Sequence, residues 1–220
     1  MDWAVELFQW FNYYLKDIGD EPEPMVQIQT NDGRWHVEDT WPPEDMTWNL
    51  ADIGTDWMVT GDTVNGQGAS VTLVSGELTE LTHISGLPTL HLEVTTQACQ
   101  GGQIFATLYD NEDNLRLGHA TMDVRYRDGG YDAKATSPFS SYTMLMEFNP
   151  LDVVVPAGHT LRIELTENGE DYLPSPCASN PLGGLTVDGG VVGLPIIDRP
   201  KSHDSWFLAP PWWEQQPIPE

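Results

Sequence analysis

Leu115-Arg-Leu-Gly-His-Ala-Thr-Met-Asp-Val-Arg-Tyr126 alternates apolar and polar side chains with one interruption. Leu115 and Leu117 keep an odd-numbered apolar phase, whereas Ala120, Met122, Val124 and Tyr126 keep an even-numbered one. A strand shows its two faces with a period of two, so a change of phase marks an extra residue, a β-bulge. The flip falls at Gly118-His119, and glycine tolerates that geometry. A bulged strand bends, as strands do at the edge of a jelly roll.

The neighbouring sequence repeats the same alternation. Val71 and Leu73 alternate with polar residues, as do Leu90, Leu92 and Val94, then Ile104, Ala106 and Leu108, then Leu161, Ile163 and Leu165. Gly66, Gly76, Gly101-Gly102, Gly129-Gly130, Pro156-Ala-Gly158 and Gly183-Gly184 punctuate these runs as turns. Upstream, Val26-Gln-Ile-Gln and Arg34-Trp-His-Val flank Asn31-Asp-Gly33, a hairpin signal. Short alternating strands separated by glycine and proline specify an all-β chain, an antiparallel jelly-roll β-sandwich over residues 25–200.

One α-helix precedes it. Residues 2–18 contain neither Gly nor Pro, and Leu7, Phe11, Tyr14 and Ile18 form a helical stripe. Trp3, Phe8, Trp10 and Leu15 fall on other faces, so the helix is apolar nearly all round and is expected to be buried against a partner. An extended acidic linker, Glu21-Pro-Glu-Pro24, follows. The aromatic tail Trp206-Phe-Leu-Ala-Pro-Pro-Trp-Trp213 cannot be helical through its prolines and is expected to lie extended over a groove.

Charge excludes some functions. The chain carries 34 acidic and 9 basic residues, a net charge of −25. Such a surface repels nucleic acid and anionic membranes, and it suits a marine or salt-adapted source where screening is strong. No stretch approaches the roughly 20 apolar residues of a membrane span. Cys99 and Cys177 cannot build a zinc site or a disulfide scaffold. They either form a single bridge, their loops meeting at one end of the sandwich, or both stay free.

Catalytic motifs are missing. No Gly-x-Ser-x-Gly occurs, so the strained turn that exposes a hydrolase nucleophile is not encoded. The six histidines show no close ligand spacing, and neither a metal nor a cofactor is expected. His159 and His119 read as structural hydrogen-bonders, Asp110-Asn-Glu-Asp-Asn114 as a polar hairpin loop, and Arg125 and Arg127 as partners of nearby acids.

The run from Leu115 to Gly130, followed by Phe148-Asn-Pro-Leu-Asp-Val-Val-Val-Pro-Ala-Gly-His-Thr-Leu-Arg-Ile-Glu164, resembles a known family. It is similar to the non-catalytic C-terminal β-domain, a galactose-binding-like jelly roll, of the X-prolyl dipeptidyl-peptidases and the related cocaine-esterase-like (CocE/NonD) acyl esterases. Gly33-Arg-Trp35 and Trp41-Pro-Pro43 match the start of that domain, and His159 matches a family histidine. Residues 7–18 look like the last helix of the catalytic domain, with Asn12 and Asp17 departing from the family's Asp and Gly.

The resemblance implies three parts: 1–19 as the terminal helix of a missing α/β-hydrolase domain, 20–205 as the jelly roll, and 206–220 as the tail. It implies a non-catalytic domain that packs on a serine hydrolase and helps wall its active-site cleft. The triad precedes this chain, so no catalytic residue is carried over. Trp3, Phe8, Trp10, Phe11, Trp41, Trp206, Trp212 and Trp213 are the expected interface, which the isolated chain would cover as a homodimer. A secreted or cell-surface parent would supply an oxidising compartment for a bridge. The alternative is an independent ligand- or carbohydrate-binding jelly roll, which needs an exposed aromatic strip on a sheet face.

Overall fold

A computed structural model describes residues 3–21, 26–99, 101–169, 172–198 and 206–207, the first four and last two of these by backbone alone. Helix α1 (Trp3–Lys16) is followed by β1 (Val26–Gln29), β2 (Trp35–Glu38), β3 (Thr47–Asp52), β4 (Trp57–Thr60) and β5 (Thr63–Val64). Then come β6 (Val71–Ser75), β7 (Thr82–Gly86), β8 (Thr89–Thr96), β9 (Gln103–Asp110) and β10 (Leu115–Asp123). The last strands are β11 (Ser141–Glu147), β12 (Leu151–Val155), β13 (Leu161–Thr166), β14 (Leu185–Ile197) and β15 (Trp206–Phe207).

Two antiparallel sheets make the jelly-roll sandwich. One runs β10-β9-β13-β6-β4; the other runs β11-β8-β14-β7-β12, with β3 and β5 also paired to β14. The alternation read in the sequence is the alternation of the core. Leu73, Ile163 and Leu108 stand in register across β6, β13 and β9, and each is fully buried. Leu90, Leu92, Met144 and Met146 fill the second sheet's inner face and belong to the same contiguous core.

The bulge is where the phase flips. Register between β10 and β9 shifts between Arg116 and Gly118, and Gly118 stands opposite Leu108. A Cβ at Gly118 would lie 2.7 Å from Leu151 Cδ2, so glycine also lets the two sheets approach. The alternation does not continue through Val124. Residues Val124–Tyr126 form a 3-10 turn, capped by Asp123 Oδ1, which accepts from Arg125 N at 2.8 Å. Val124 is buried all the same.

The architecture differs from the expected two sheets in one respect. The hairpin β1–β2 does not join the sandwich; it forms a separate three-stranded sheet with β15. Trp206–Phe207 is therefore extended, as expected of the tail, and pairs with Trp35–His36. Residues 208–220, including Trp212 and Trp213, lie outside the described residues.

Two loops are fastened by specific chemistry. Cys99, after β8, is disulfide-bonded to Cys177, before β14, with Cα atoms 5.9 Å apart. At the β9–β10 turn, His159 Nδ1 bonds the Asp110 carboxylate at 2.9 Å and Glu112 accepts from Thr160 N at 2.6 Å. The bond to Asp110 raises the His159 pKa above its ordinary value.

Glu167, which follows β13, is different: it is 1% exposed and neither carboxyl oxygen has a hydrogen-bond partner among the described residues. Burial raises its pKa, offset in part by Ser175 and Gly66 nearby. A carboxyl that binds its proton more tightly when folded contributes stability below its unfolded value of 4.5 and loses it as pH rises through the raised one. Glu167→Met should therefore stabilise the chain by about 1–3 kcal/mol at pH 8, the range for removing an unsatisfied buried polar group. The gain should shrink at pH 4. Urea unfolding at both pH values measures it, and an equal difference at both would contradict the burial argument.

Candidate domain interface

Among the described residues, helix α1 leaves most of its large apolar side chains exposed. Its sequence lacks helix breakers, and Lys16 in the last turn faces the negative end of the helix dipole. Asp17 then turns left-handed at φ 57°, a conformation Asp tolerates, and Ile18 N donates to Asn12 O at 2.9 Å. Trp10 packs edge-on to Phe11 at 5.4 Å and against Tyr14 at 4.9 Å. These aromatic contacts run along the helix itself and leave much of it open to solvent.

Leu7, Phe8, Trp10, Phe11, Tyr14, Leu15 and Ile18 are between 38% and 70% exposed. Fully burying one such side chain stabilises by about 1.5–3 kcal/mol relative to exposing it. A helix carrying six of them, with Ile18 just after it, presents the kind of surface that marks a protein interaction site. Elsewhere, Trp48 and Leu50 on β3 and Met58 on β4 are exposed as well.

The hairpin that follows α1 is stitched to the sandwich. The Asn31 amide pairs with β12 like a peptide group: Nδ2 donates to Val154 O at 3.0 Å and Oδ1 accepts from Val154 N at 2.8 Å. Nearby, polar side chains from β2, β7 and β12 converge in a buried seam. His36 contacts Glu38 Oε1 through Nδ1 at 2.7 Å and Asp152 Oδ2 through Nε2 at 2.9 Å. His83 Nε2 lies 2.7 Å from Asp152 Oδ1, and the Ser85 hydroxyl donates to Asp152 Oδ2 at 2.9 Å.

Burial alone would push the His36 pKa down and that of Asp152 up. Their mutual bonds, with Glu38 and His83, outweigh it, so His36 is raised and Asp152 lowered. The seam holds the residue types of a serine triad without its order. Ser85 donates to the aspartate rather than to a histidine, and it is fully buried. A hydroxyl in that position has no base to activate it and no access to substrate.

Residues 47–182 match the sequence profile of the X-Pro dipeptidyl-peptidase C-terminal non-catalytic domain. The chain belongs to that family. A Bacillus anthracis protein named as a Xaa-Pro dipeptidyl-peptidase is 24% identical over a gapped alignment of 226 positions that covers 89% of this chain and 37% of the relative. Among solved structures, an aminopeptidase from a marine sediment Thaumarchaeota archaeon superposes with a TM-score of 0.65 at 14% identity, over 87% of this chain and 44% of that one. A CocE/NonD family hydrolase from Staphylococcus aureus gives 0.62 at 14% identity, over 88% and 46%. The chain thus spans less than half the length of each of these relatives. Their likeness carries the fold of this non-catalytic domain, and the family profile covers the whole sandwich up to the run into β14.

The residues singled out in the sequence do not all fall in one place. Phe8, Trp10 and Phe11 lie together on α1 and are exposed. Trp41 is half-buried and joined by a cis peptide to Pro42, which lies near Gly86 at the end of β7. Trp3 and Trp206 are placed by backbone alone, in α1 and β15. Trp48 and Leu50 were missed, although their spacing of two is the signal of one strand face. Arg125 pairs with Asp123, and Arg127 instead donates to Val124 O and stacks 4.5 Å from the Tyr142 ring.

Proposed function

We propose that this chain is the β-domain of a larger serine hydrolase, an X-Pro dipeptidyl-peptidase or CocE/NonD-type acyl esterase, and that α1 packs on its α/β-hydrolase domain. The observation that carries this reading is the exposure of six large side chains on one short helix, with Ile18 just beyond it. The family's place within larger hydrolases supports the catalytic domain as the partner. From that position the jelly roll helps wall the active-site cleft and contributes shape rather than chemistry.

An independent carbohydrate-binding role is less well supported. The groove on the outer face of the seven-stranded sheet is lined by Glu93, Thr95, Ser141, Tyr142, Thr143 and Asp188, of which Tyr142 alone is aromatic. A sugar-stacking strip needs more than one ring.

The test uses Phe8→Glu with Leu15→Glu, which places two charges on the open helix. Expressed alone, the wild-type chain should self-associate through α1, most simply as a symmetric dimer, and the double variant should be monomeric by light scattering. Expressed with the hydrolase domain of its parent gene, the wild type should co-purify and the variant should lose at least tenfold in affinity, equivalent to about 1.4 kcal/mol. A wild type that is monomeric and indifferent to the hydrolase domain would overturn the proposal.

A further inference from the structure

Three ligand atoms from three strands meet in the seam between hairpin and sandwich. His36, His83 and Asp152 each offer one ligand atom within 4.8 Å of the others, and both histidines turn Nε2 to the Asp152 carboxylate. Their side chains are 0%, 5% and 4% exposed. We propose that this cluster is a binding site for one divalent transition-metal ion, zinc by its donor chemistry, clamping β2 to β7 and β12.

The donor set selects the ion. Two imidazoles and one carboxylate suit zinc and its neighbours, whereas calcium and magnesium take oxygen ligands. The surrounding groups also have the arrangement that orients such ligands. Glu38 holds Nδ1 of His36 at 2.7 Å and leaves Nε2 turned toward Asp152, the carboxylate–histidine–metal pattern. Ser85 fixes Asp152 from the other side at 2.9 Å. His36 Nε2 lies 2.9 Å from Asp152 Oδ2 and His83 Nε2 lies 2.7 Å from Asp152 Oδ1, so the two imidazoles approach the two oxygens of one carboxylate. A tetrahedral ion with bonds of about 2.0–2.1 Å spaces its ligands roughly 3.3 Å apart, so the imidazoles must draw back from the carboxylate to admit it.

The exchange balances simply. Without metal, protons bridge both Nε2 atoms to Asp152. On binding, His36 releases its Nε2 proton and keeps that on Nδ1, and His83 moves its proton from Nε2 to Nδ1. One M²⁺ enters and one proton leaves, when His36 starts as the imidazolium. Three protein ligands are the number found at zinc centres that take water as a fourth. The clamp does not depend on what α1 docks against.

The experiment uses the whole chain, stripped with EDTA and desalted, then titrated with Zn²⁺ by calorimetry and followed by thermal melts. Co²⁺ replaces Zn²⁺ for a visible spectrum. One equivalent should bind, Tm should rise, and cobalt should give tetrahedral d–d bands. His83→Gln and Asp152→Asn should abolish the bands, and Glu38→Gln should weaken binding about 10–100-fold, the usual loss when a ligand's hydrogen-bond partner is removed. His159→Gln, in the separate Asp110–Asp113–His159 cluster, should change nothing. Circular dichroism checks that each variant folds, and Glu38→Gln carries the test if Asp152→Asn does not. A folded wild type whose Tm and heat ignore zinc would overturn the proposal, leaving a proton-filled network. So would binding that survives His83→Gln and Asp152→Asn, or that disappears with His159→Gln.

Discussion

Replacing Cys99 and Cys177 with serine should lower the stability of the chain by roughly 4 kcal/mol, the loss expected when a long closed loop is released. The two cysteines are 78 residues apart, so the bridge restricts more than a third of the unfolded chain. The folded chain already holds the ends near each other. Gln97 N donates to Gly184 O and Ala98 N to Leu182 O, both at 3.1 Å, carrying the β8–β14 pairing beyond the strands. Native geometry should survive the substitution, and the loss should appear through the unfolded state. At about 2–4 °C per kcal/mol for a chain of this size, Tm should fall by roughly 8–16 °C. Reducing the wild type with a phosphine should give the same fall. A melt that is unchanged by reduction would show that the bridge does not contribute.

Gly190→Ala should be the most damaging single-methyl addition in β14, with a loss of about 3 kcal/mol or more, at the upper end for overpacking. Gly190 pairs with Leu92 at the centre of the larger sheet and has φ +148°. A Cβ there would stand 2.0 Å from the carbonyl oxygen of His91, a backbone atom that cannot turn aside. Its neighbour Gly189 is the internal control, since a Cβ at that position meets nothing within 4 Å. Gly189→Ala should change stability by less than about 0.5 kcal/mol, as open surface positions do. Urea unfolding of the two variants decides it, and equal losses would mean that the strand shifts freely.

What the sequence shows follows from how far each signal reaches. The phase flip at Gly118-His119 is local, and it lies beside the bulge, whose unpaired residue is Leu117. Leu73, Leu108 and Ile163 could be assigned to the inner face because outer neighbours such as Thr72, Tyr109 and Arg162 keep the alternation visible. Strand β14 gives no such contrast. It lies in the middle of its sheet with partners on both sides, shifts register between Val187 and Gly189, and carries glycines where backbones approach closely. Its thirteen residues therefore look like a turn-rich stretch. Strands β3, β4 and β5 were equally quiet, because β3 leaves Trp48 and Leu50 in solvent.

The buried seam was the least legible part. His36 and Asp152 are 116 residues apart, and His83 and Asp152 are 69 apart. Spacing along the chain can announce ligands that share a helix or a loop. It is silent about three strands that topology alone brings together.

Asn31 has a consequence for solubility. Strand β12 is the outermost strand of its sheet, and an outermost strand offers unpaired amides and carbonyls to any other extended chain. The Asn31 side chain occupies both groups of Val154 from outside the sandwich. One carboxamide thus acts as a stopper against strand addition at mid-edge, where the charge of the surface would be a weaker guard. The hairpin turn that delivers it serves the sheet less as an extension than as a lid on its growth.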